Sequence, residues 1–176
     1  MMHILLGITG GIAAYKSADL ANALTKRGHA VDAVMTKNAA EFITPLTIST
    51  LTKRRVYTDS FERVTDFDVE HIGLAKAAEL VLIAPATANF IGKVAAGIAD
   101  DLLTTVVMAA HKKPAVICPA MNTAMYENPI VRDNIAKLAK LGYRFVEPRE
   151  ALLACGDLGR GALADMETIL GFIESL

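Results

Sequence analysis

Residues 115–126 read AVICPAMNTAMY, an apolar run that ends in proline and continues into an amide and two thioethers. The run Ala115–Cys118 predicts a short buried strand that ends at the proline. Asn122 then offers a hydrogen-bond donor and an acceptor, while Met121 and Met125 offer adaptable apolar surface. In a parallel sheet these side chains would stand at the carboxyl edge, which is where open α/β folds bind ligands.

Apolar strands alternate with helical patterns along most of the chain. The predicted strands are His3–Thr9, Ala30–Met35, Leu80–Ala84, Ala115–Cys118 and Arg144–Val146. The predicted helices are Ala13–Arg27, closed by Gly28, then His71–Ala78, Ala88–Ala96, Leu102–Ala110 and Pro129–Leu141, closed by Gly142. Continuous apolar strands joined by helices predict a doubly wound parallel sheet, of Rossmann or flavodoxin-like type, in three α/β/α layers.

Composition narrows the classes of function. With 176 residues, 53% of them hydrophobic, we expect a single domain over residues 1–176. The net charge of −1 and the lack of a basic block argue against nucleic acid or an anionic membrane as partner. The amino-terminal apolar run is too short for a signal peptide or membrane span, so we expect a cytoplasmic protein. Cys118 and Cys155 lack metal-ligand spacing, so no metal is expected, and Cys118 is interpreted as a small buried hydrophobe.

The first strand leads into a glycine turn, Gly10-Gly11, that does not match the dinucleotide pattern G-x-G-x-x-G. The second strand also lacks the terminal acidic residue that would bind an adenosine ribose. Glycines at a strand end let backbone N–H groups approach a phosphate, with possible help from the hydroxyls of Thr9, Ser17 and Thr36, so a mononucleotide such as FMN fits better. Equally, a tight turn needs glycine for its own geometry, and this motif alone does not separate the two interpretations.

A second strand-end loop, Pro85-Ala86-Thr87-Ala88-Asn89, follows the third strong strand. We expect it to face the Asn122 loop across one crevice, which favours a ligand site there. Thr87 or Asn89 could instead cap the next helix, since both residue types serve that role, and for Asn89 capping is at least as plausible as binding.

Four stretches together resemble one family, the flavin-containing cysteine decarboxylases. They are ITGGIAAYKS at Ile8–Ser17, the run from His71 to Thr105, PAMNTAMYENP at Pro119–Pro129, and ACGDLGRGAL at Ala154–Leu163. The likeness covers nearly the whole chain and is strongest to the branch that acts on 4′-phosphopantothenoylcysteine in coenzyme A biosynthesis. That family usually has tryptophan where this chain has Tyr126, so the aromatic character is kept.

The resemblance implies FMN as cofactor and a small-molecule substrate. In the reaction that the resemblance implies, FMN would take two electrons from the cysteine side chain of the substrate to give a thioaldehyde, and the α-carboxylate could then leave as carbon dioxide to give an ene-thiolate. Return of a hydride, with a proton from the protein, would complete 4′-phosphopantetheine.

The resemblance also implies catalytic roles for three residues. His71 would handle protons, a role to which histidine side chains are suited, although a lone histidine at a helix start is more often a surface residue. Asn122 would hold the substrate carboxylate, and capping the following helix is compatible with that role. Cys155 would give a proton to the ene-thiolate from a segment whose glycines favour a mobile loop over a packed strand.

Binding residues follow from the same resemblance. The implied cofactor contacts are Gly10, Gly11, Ile12, Thr36, Pro85, Thr87, Ala88, Asn89, Ala120 and Met121. The implied substrate contacts are Lys76, Asn122, Met125 and Ala154, with Lys76 reaching the phosphate, although an isolated lysine is more often solvated surface.

Related classes of protein fit less well. Regulatory phosphatase subunits of this family usually carry long acidic tails, which the end Glu174-Ser175-Leu176 lacks, and flavin prenyltransferases need neither the Pro85–Asn89 motif nor Cys155. Peptidyl-cysteine decarboxylases share the Asn122 motif but do not need Cys155. The resemblance implies a homo-oligomer, a trimer or a dodecamer of trimers, and the short chain leads us to expect a separate phosphopantothenate–cysteine ligase.

Overall fold

A computed structural model of the chain describes residues 1–58, 70–154, 156 and 158–176. Within these ranges, six strands run parallel in one sheet, in the order β3-β2-β1-β4-β5-β6. They are β1 His3–Ile8, β2 Ala30–Met35, β3 Val56–Tyr57, β4 Leu80–Ala86, β5 Ala115–Pro119 and β6 Arg144–Phe145. The predicted doubly wound α/β architecture is therefore confirmed.

Helices connect the strands, and most begin at a side-chain cap. They are α1 Lys16–Lys26, preceded by a 3-10 turn at Ile12–Tyr15, then α2 Lys37–Ala40, α3 Pro45–Thr52, α4 Glu70–Ala77, α5 Ala88–Ala96, α6 Leu102–Ala109, α7 Thr123–Glu127, α8 Pro129–Lys140 and α9 Met166–Glu174. At the start of α6, the Asp101 carboxylate accepts the Thr104 N–H at 2.8 Å. The Thr104 hydroxyl oxygen in turn accepts the Asp101 N–H, so the two residues form a capping box. Gly28 and Gly142 end α1 and α8 at φ values of 84° and 95°, as their positions predicted.

Two apolar cores lie on the two faces of the sheet. Alternate residues of each strand supply each face, so Leu6 of β1 packs towards α1 and α9 while Leu5 packs towards α4, α5 and α6. Ile169 on α9 and Phe90 on α5 are nearly fully buried in these cores. This arrangement gives the three layers that the sequence predicted. No helix among the residues placed is long and apolar enough to cross a membrane.

The order of the strands creates the crevice. The chain runs outward from β1 to β2 and β3, and then crosses to the other side of β1, where it forms β4, β5 and β6. In such a sheet the loops after β1 and β4 diverge to opposite faces, which leaves a groove between them at the carboxyl ends.

A two-stranded antiparallel hairpin, β7 Arg149–Leu152 and β8 Leu158–Ala162, lies outside the main sheet. The expectation of a mobile loop rather than a packed strand was wrong for residues 158–162. Gly159 and Gly161 serve close packing, because a Cβ at these positions would lie 2.4 Å from Thr123 Oγ1 and 2.2 Å from Met121 O. The hairpin thus contacts the segment that follows β5.

Candidate active site

A cavity of about 860 Å³ opens at the carboxyl edge of the sheet. Its volume lies within the usual range of small-molecule and cofactor sites, roughly 300–1,000 Å³. The strand-end loops and the hairpin line it, through residues 9–13, 36–38, Pro85, 87–90, 120–122, 151–154 and 161–163. The two loops that were predicted to face each other across a crevice therefore share one cavity.

The glycine turn after β1 forms one end of this cavity. Gly10 lies against α2, where a Cβ would be only 2.3 Å from Asn38 Cβ, so a side chain is excluded. Gly11 has more room, since the nearest atom to its Cβ position is Thr87 Cγ2 at 3.7 Å. Lys16 and Lys37 also line the cavity and add positive charge beside this bare backbone. Backbone N–H groups without side chains to shield them, together with lysines, suit a phosphate.

Two hydroxyls that were predicted to assist a phosphate hold the loop after β4. Thr9 Oγ1 donates to Pro85 O at 2.7 Å and accepts the Thr87 N–H at 3.0 Å. Ser17 is fully buried and its Oγ donates to Ala84 O at 2.8 Å, so it lies outside the cavity lining. For Ser17 the prediction was wrong, whereas Thr9 does line the cavity and its role towards a phosphate stays a prediction. The hydrogen-bond partners of both hydroxyls lie at or just after the end of β4, 67 to 78 residues away in sequence.

In the loop after β4, the structure shows which residue caps the next helix and which lines the cavity, two roles that the sequence left open. Thr87 caps α5, since its Oγ1 accepts the Phe90 N–H at 3.3 Å. Asn89 is the second residue of the helix and lines the cavity. Thr36 likewise caps α2 through the Ala39 N–H at 3.2 Å while lining the cavity.

The loop after β5 places Asn122 between the sheet edge and the hairpin. Its Oδ1 accepts the Ala124 N–H at 2.8 Å and caps α7, which fixes the orientation of the amide. Met121 donates its N–H to Gly161 O at 2.9 Å, so the hairpin is bonded to this loop directly. Asn122, Met121 and the half-exposed Met125 all line the cavity. Capping and ligand binding are compatible here.

The cavity brings most of the predicted site residues together, but not all. Those that line it are Gly10, Gly11, Ile12, Thr36, Pro85, Thr87, Ala88, Asn89, Ala120, Met121, Asn122, Met125 and Ala154. His71 and Lys76 lie in the first and last turns of α4, and neither belongs to the lining that the described part of this single chain provides. Cys155 lies outside the described residues.

Several lining residues were missed by the sequence reasoning, including Lys93, Asp101 and Arg149. Lys93 follows Asn89 by four residues on α5, and this spacing places both residues on one face of the helix. The spacing could therefore have indicated from the sequence that Lys93 lines the cavity together with Asn89. Its Nζ donates to Asp100 at 2.7 Å and to Asp101 at 3.2 Å, and the bond to Asp100 raises the pKa of Lys93. Lys93 therefore remains protonated at neutral pH.

Comparison with known proteins identifies the family. A family model described as Flavoprotein matches residues 1–176. The chain belongs to the Flavoprotein family. It is 49% identical over 172 residues to a probable phosphopantothenoylcysteine decarboxylase of Streptococcus mutans, and the match covers 97% of this chain and 96% of that one. It also spans 42% of the length of a bifunctional coenzyme A biosynthesis protein of Bacillus subtilis, at 46% identity.

Solved structures agree with the fold. A mutant PPC decarboxylase complexed with pantothenoylaminoethenethiol superposes with a TM-score of 0.87 at 33% identity, covering 99% of this chain and 97% of that chain. The FMN-dependent cysteine decarboxylase SpaF superposes with a TM-score of 0.85 at 33% identity, covering 98% and 94%.

Proposed function

We propose that this protein is an FMN-dependent decarboxylase that converts 4′-phosphopantothenoylcysteine to 4′-phosphopantetheine in coenzyme A biosynthesis. One observation carries the proposal: the glycine turn, the Pro85–Asn89 loop and the Asn122 loop meet around a single cavity in a chain of the Flavoprotein family. Similarity to the S. mutans protein over nearly the full length of both chains supports the substrate.

The residues present fit FMN. The bare backbone at Gly10 and Gly11, flanked by Lys16 and Lys37, suits one phosphate group. No acidic side chain follows β2, where Thr36 and Lys37 stand instead, so the site does not favour a dinucleotide. Bound FMN would supply the two-electron oxidation of the substrate and the later return of a hydride. Ala120, Met121 and the Pro85–Asn89 loop would surround the flavin ring.

Asn122 is proposed to orient the substrate carboxylate. Its Oδ1 accepts the Ala124 N–H, which fixes the orientation of the planar amide. Nδ2 of that amide carries N–H groups, which can donate hydrogen bonds to a carboxylate. Met125 and Ala154 also line the cavity and would contact the apolar portion of the substrate. Binding that fixes a carboxylate for loss acts mainly by orientation.

His71 and Lys76 need a second copy of the chain for their proposed roles. Both lie on α4, outside the cavity lining that the described residues of one chain provide, so a homo-oligomer is proposed to bring them to a neighbouring site. We propose a trimer, or a dodecamer of trimers, in which the partner subunit's His71 handles protons and the partner subunit's Lys76 binds the substrate phosphate. In the pathway, a phosphopantothenate–cysteine ligase supplies the substrate.

Cys155 is proposed to protonate the ene-thiolate. This role rests on the motif Ala154–Leu163 and on the hairpin, whose described strands β7 and β8 flank that position and border the cavity. The family match over residues 1–176 supports the proposal that these elements belong to one domain.

The test is turnover by the purified protein. We expect a yellow protein that converts phosphopantothenoylcysteine to a product lighter by the mass of carbon dioxide, followed by mass spectrometry. Cys155→Ser is expected to stop at a product lighter by two further hydrogen atoms. A yellow protein that leaves this substrate unchanged would contradict the proposal.

A further inference from the structure

Tyr126 lies where α7, α8 and the base of the hairpin meet. Its side chain is almost fully buried, and its hydroxyl donates to Glu147 Oε2 at 2.5 Å. The guanidinium carbon of Arg132, on α8, lies 4.7 Å from the centre of its ring. Burial, followed by the bond to Glu147, raises the pKa of Tyr126, so the hydroxyl keeps its proton and acts as the donor.

The Tyr126–Glu147 bond connects the two sides of the cavity. Tyr126 is in α7, the helix that Asn122 caps, whereas Glu147 comes two residues before the first strand of the hairpin. The N–H of Met121 bonds to Gly161 O at 2.9 Å and attaches the second hairpin strand to the same segment. The hairpin is therefore fixed to residues 121–126 both at its base and along its second strand.

We propose that the Tyr126–Glu147 hydrogen bond is a positioning contact that sets the spacing between Asn122 and the hairpin wall of the cavity. Residues 151–154 and 161–163 form that wall, so a substrate bound by Asn122 fits only when the two sides keep their spacing. Tyr126 is thus a positioning residue. The identity of the substrate rests on the proposed function, whereas the bond and its effect on the hairpin do not.

The positioning role belongs to the Tyr126 hydroxyl and not to the packing of its ring. A phenylalanine would fill the same apolar space against α8, so losing the hydroxyl leaves no cavity. Glu147 is exposed, and water can solvate its carboxylate once the bond is gone. Removal of the hydroxyl should therefore loosen the hairpin without unfolding the core, since hydrogen bonds to charged groups are among the stronger ones.

Turnover gives the first test. Tyr126→Phe and Glu147→Ala should each lower kcat/KM for phosphopantothenoylcysteine, per bound flavin, about tenfold. Glu147→Gln keeps an acceptor but loses the charge, so it should lose less than Glu147→Ala, and the double variant Tyr126→Phe/Glu147→Ala should be no worse than either single change. Tyr143→Phe, which removes a hydroxyl from another residue packed against the same core, is the matched control and should be unchanged.

Wild-type kcat/KM in Tyr126→Phe, or a double variant whose loss is the product of the two single losses, would overturn the proposal. A role in stability alone would lower the melting temperature or the flavin content, but it would leave kcat/KM per bound flavin unchanged and would show no rescue by glutamine.

Hydrogen exchange gives a second test that does not depend on the substrate. The Met121 amide, bonded to Gly161 O, should exchange about tenfold faster in Tyr126→Phe and Glu147→Ala, and at the wild-type rate in Tyr143→Phe. If wild-type protein shows no turnover, the proposed function fails and the exchange rates still decide whether the contact positions the hairpin. An unchanged rate at Met121 in Tyr126→Phe would refute it.

Discussion

Replacing Gly161 with alanine should displace the hairpin from the Asn122 loop. The new Cβ would lie 2.2 Å from Met121 O, a backbone atom that cannot move aside as a side-chain end can. Restoring an ordinary contact needs a shift of roughly 1 Å, which a close-packed interface transmits to its neighbours. Overpacking of this kind costs about 1–3 kcal/mol. Weakening the 2.9 Å bond from Met121 N–H to Gly161 O adds about 1 kcal/mol.

Urea unfolding of the Gly161→Ala variant should therefore show a loss of about 2–4 kcal/mol in the free energy of unfolding. Turnover per bound flavin should fall as well, because the shifted strand lines the cavity. Gly171→Ala is the matched control: Gly171 lies inside α9 with no atom within 4 Å of its Cβ position. It should gain about 0.5–1 kcal/mol and keep wild-type turnover. If both variants unfold at the wild-type urea concentration, the glycine at 161 is not required for packing and the reasoning is refuted.

Two further changes test the buried charges and the site. Burial alone would raise the pKa of Asp32, but hydrogen bonds from Arg54, at 2.5 Å, and from His3 hold the pKa of Asp32 below its usual value. The stabilisation from the ionised Asp32 is therefore complete above the pKa of an unfolded aspartate, near 3.9, and is lost as the pH falls through the lower pKa of Asp32 in the folded protein. The free energy of unfolding should decrease below about pH 4, and it should decrease less steeply in Arg54→Gln. Identical pH slopes in both proteins would contradict this. Asn122→Ser keeps an N-cap for α7 but removes the amide, so the melting temperature and flavin content should stay near wild type while kcat falls about 100-fold. Substantial turnover in Asn122→Ser would remove the amide from the mechanism.

Local pattern predicted the main sheet well but not the hairpin. Ala30–Met35 and Ala88–Ala96 have the bounds that apolar runs and capping residues indicated, because those signals act within the segment itself. The strand Leu158–Ala162 contains two glycines and resembles a loop in sequence. It forms because those glycines permit contact with Met121 and Thr123, more than 30 residues earlier in the chain, which local reasoning does not detect.

The same distinction applies to the site. The rule that parallel strands present their carboxyl ends at one edge was sufficient to place the Pro85–Asn89 and Asn122 loops around one cavity. It did not reveal that Thr9 and Ser17 use their hydroxyls on β4 carbonyl groups, since that depends on strand order. His71 and Lys76 lie on α4, outside the cavity lining that the described residues provide, and no local sequence pattern predicted that placement.

The two hydrogen bonds of Thr9 bear on how the cofactor binds. One hydroxyl joins the turn after β1 to both Pro85 and Thr87, so two walls of the cavity are already held in mutual register before any ligand arrives. A ligand that enters loses little free energy to ordering this side of the protein. In Thr9→Val the same walls would have to be arranged at each binding event, and the cofactor would dissociate faster even though Thr9 need not touch it.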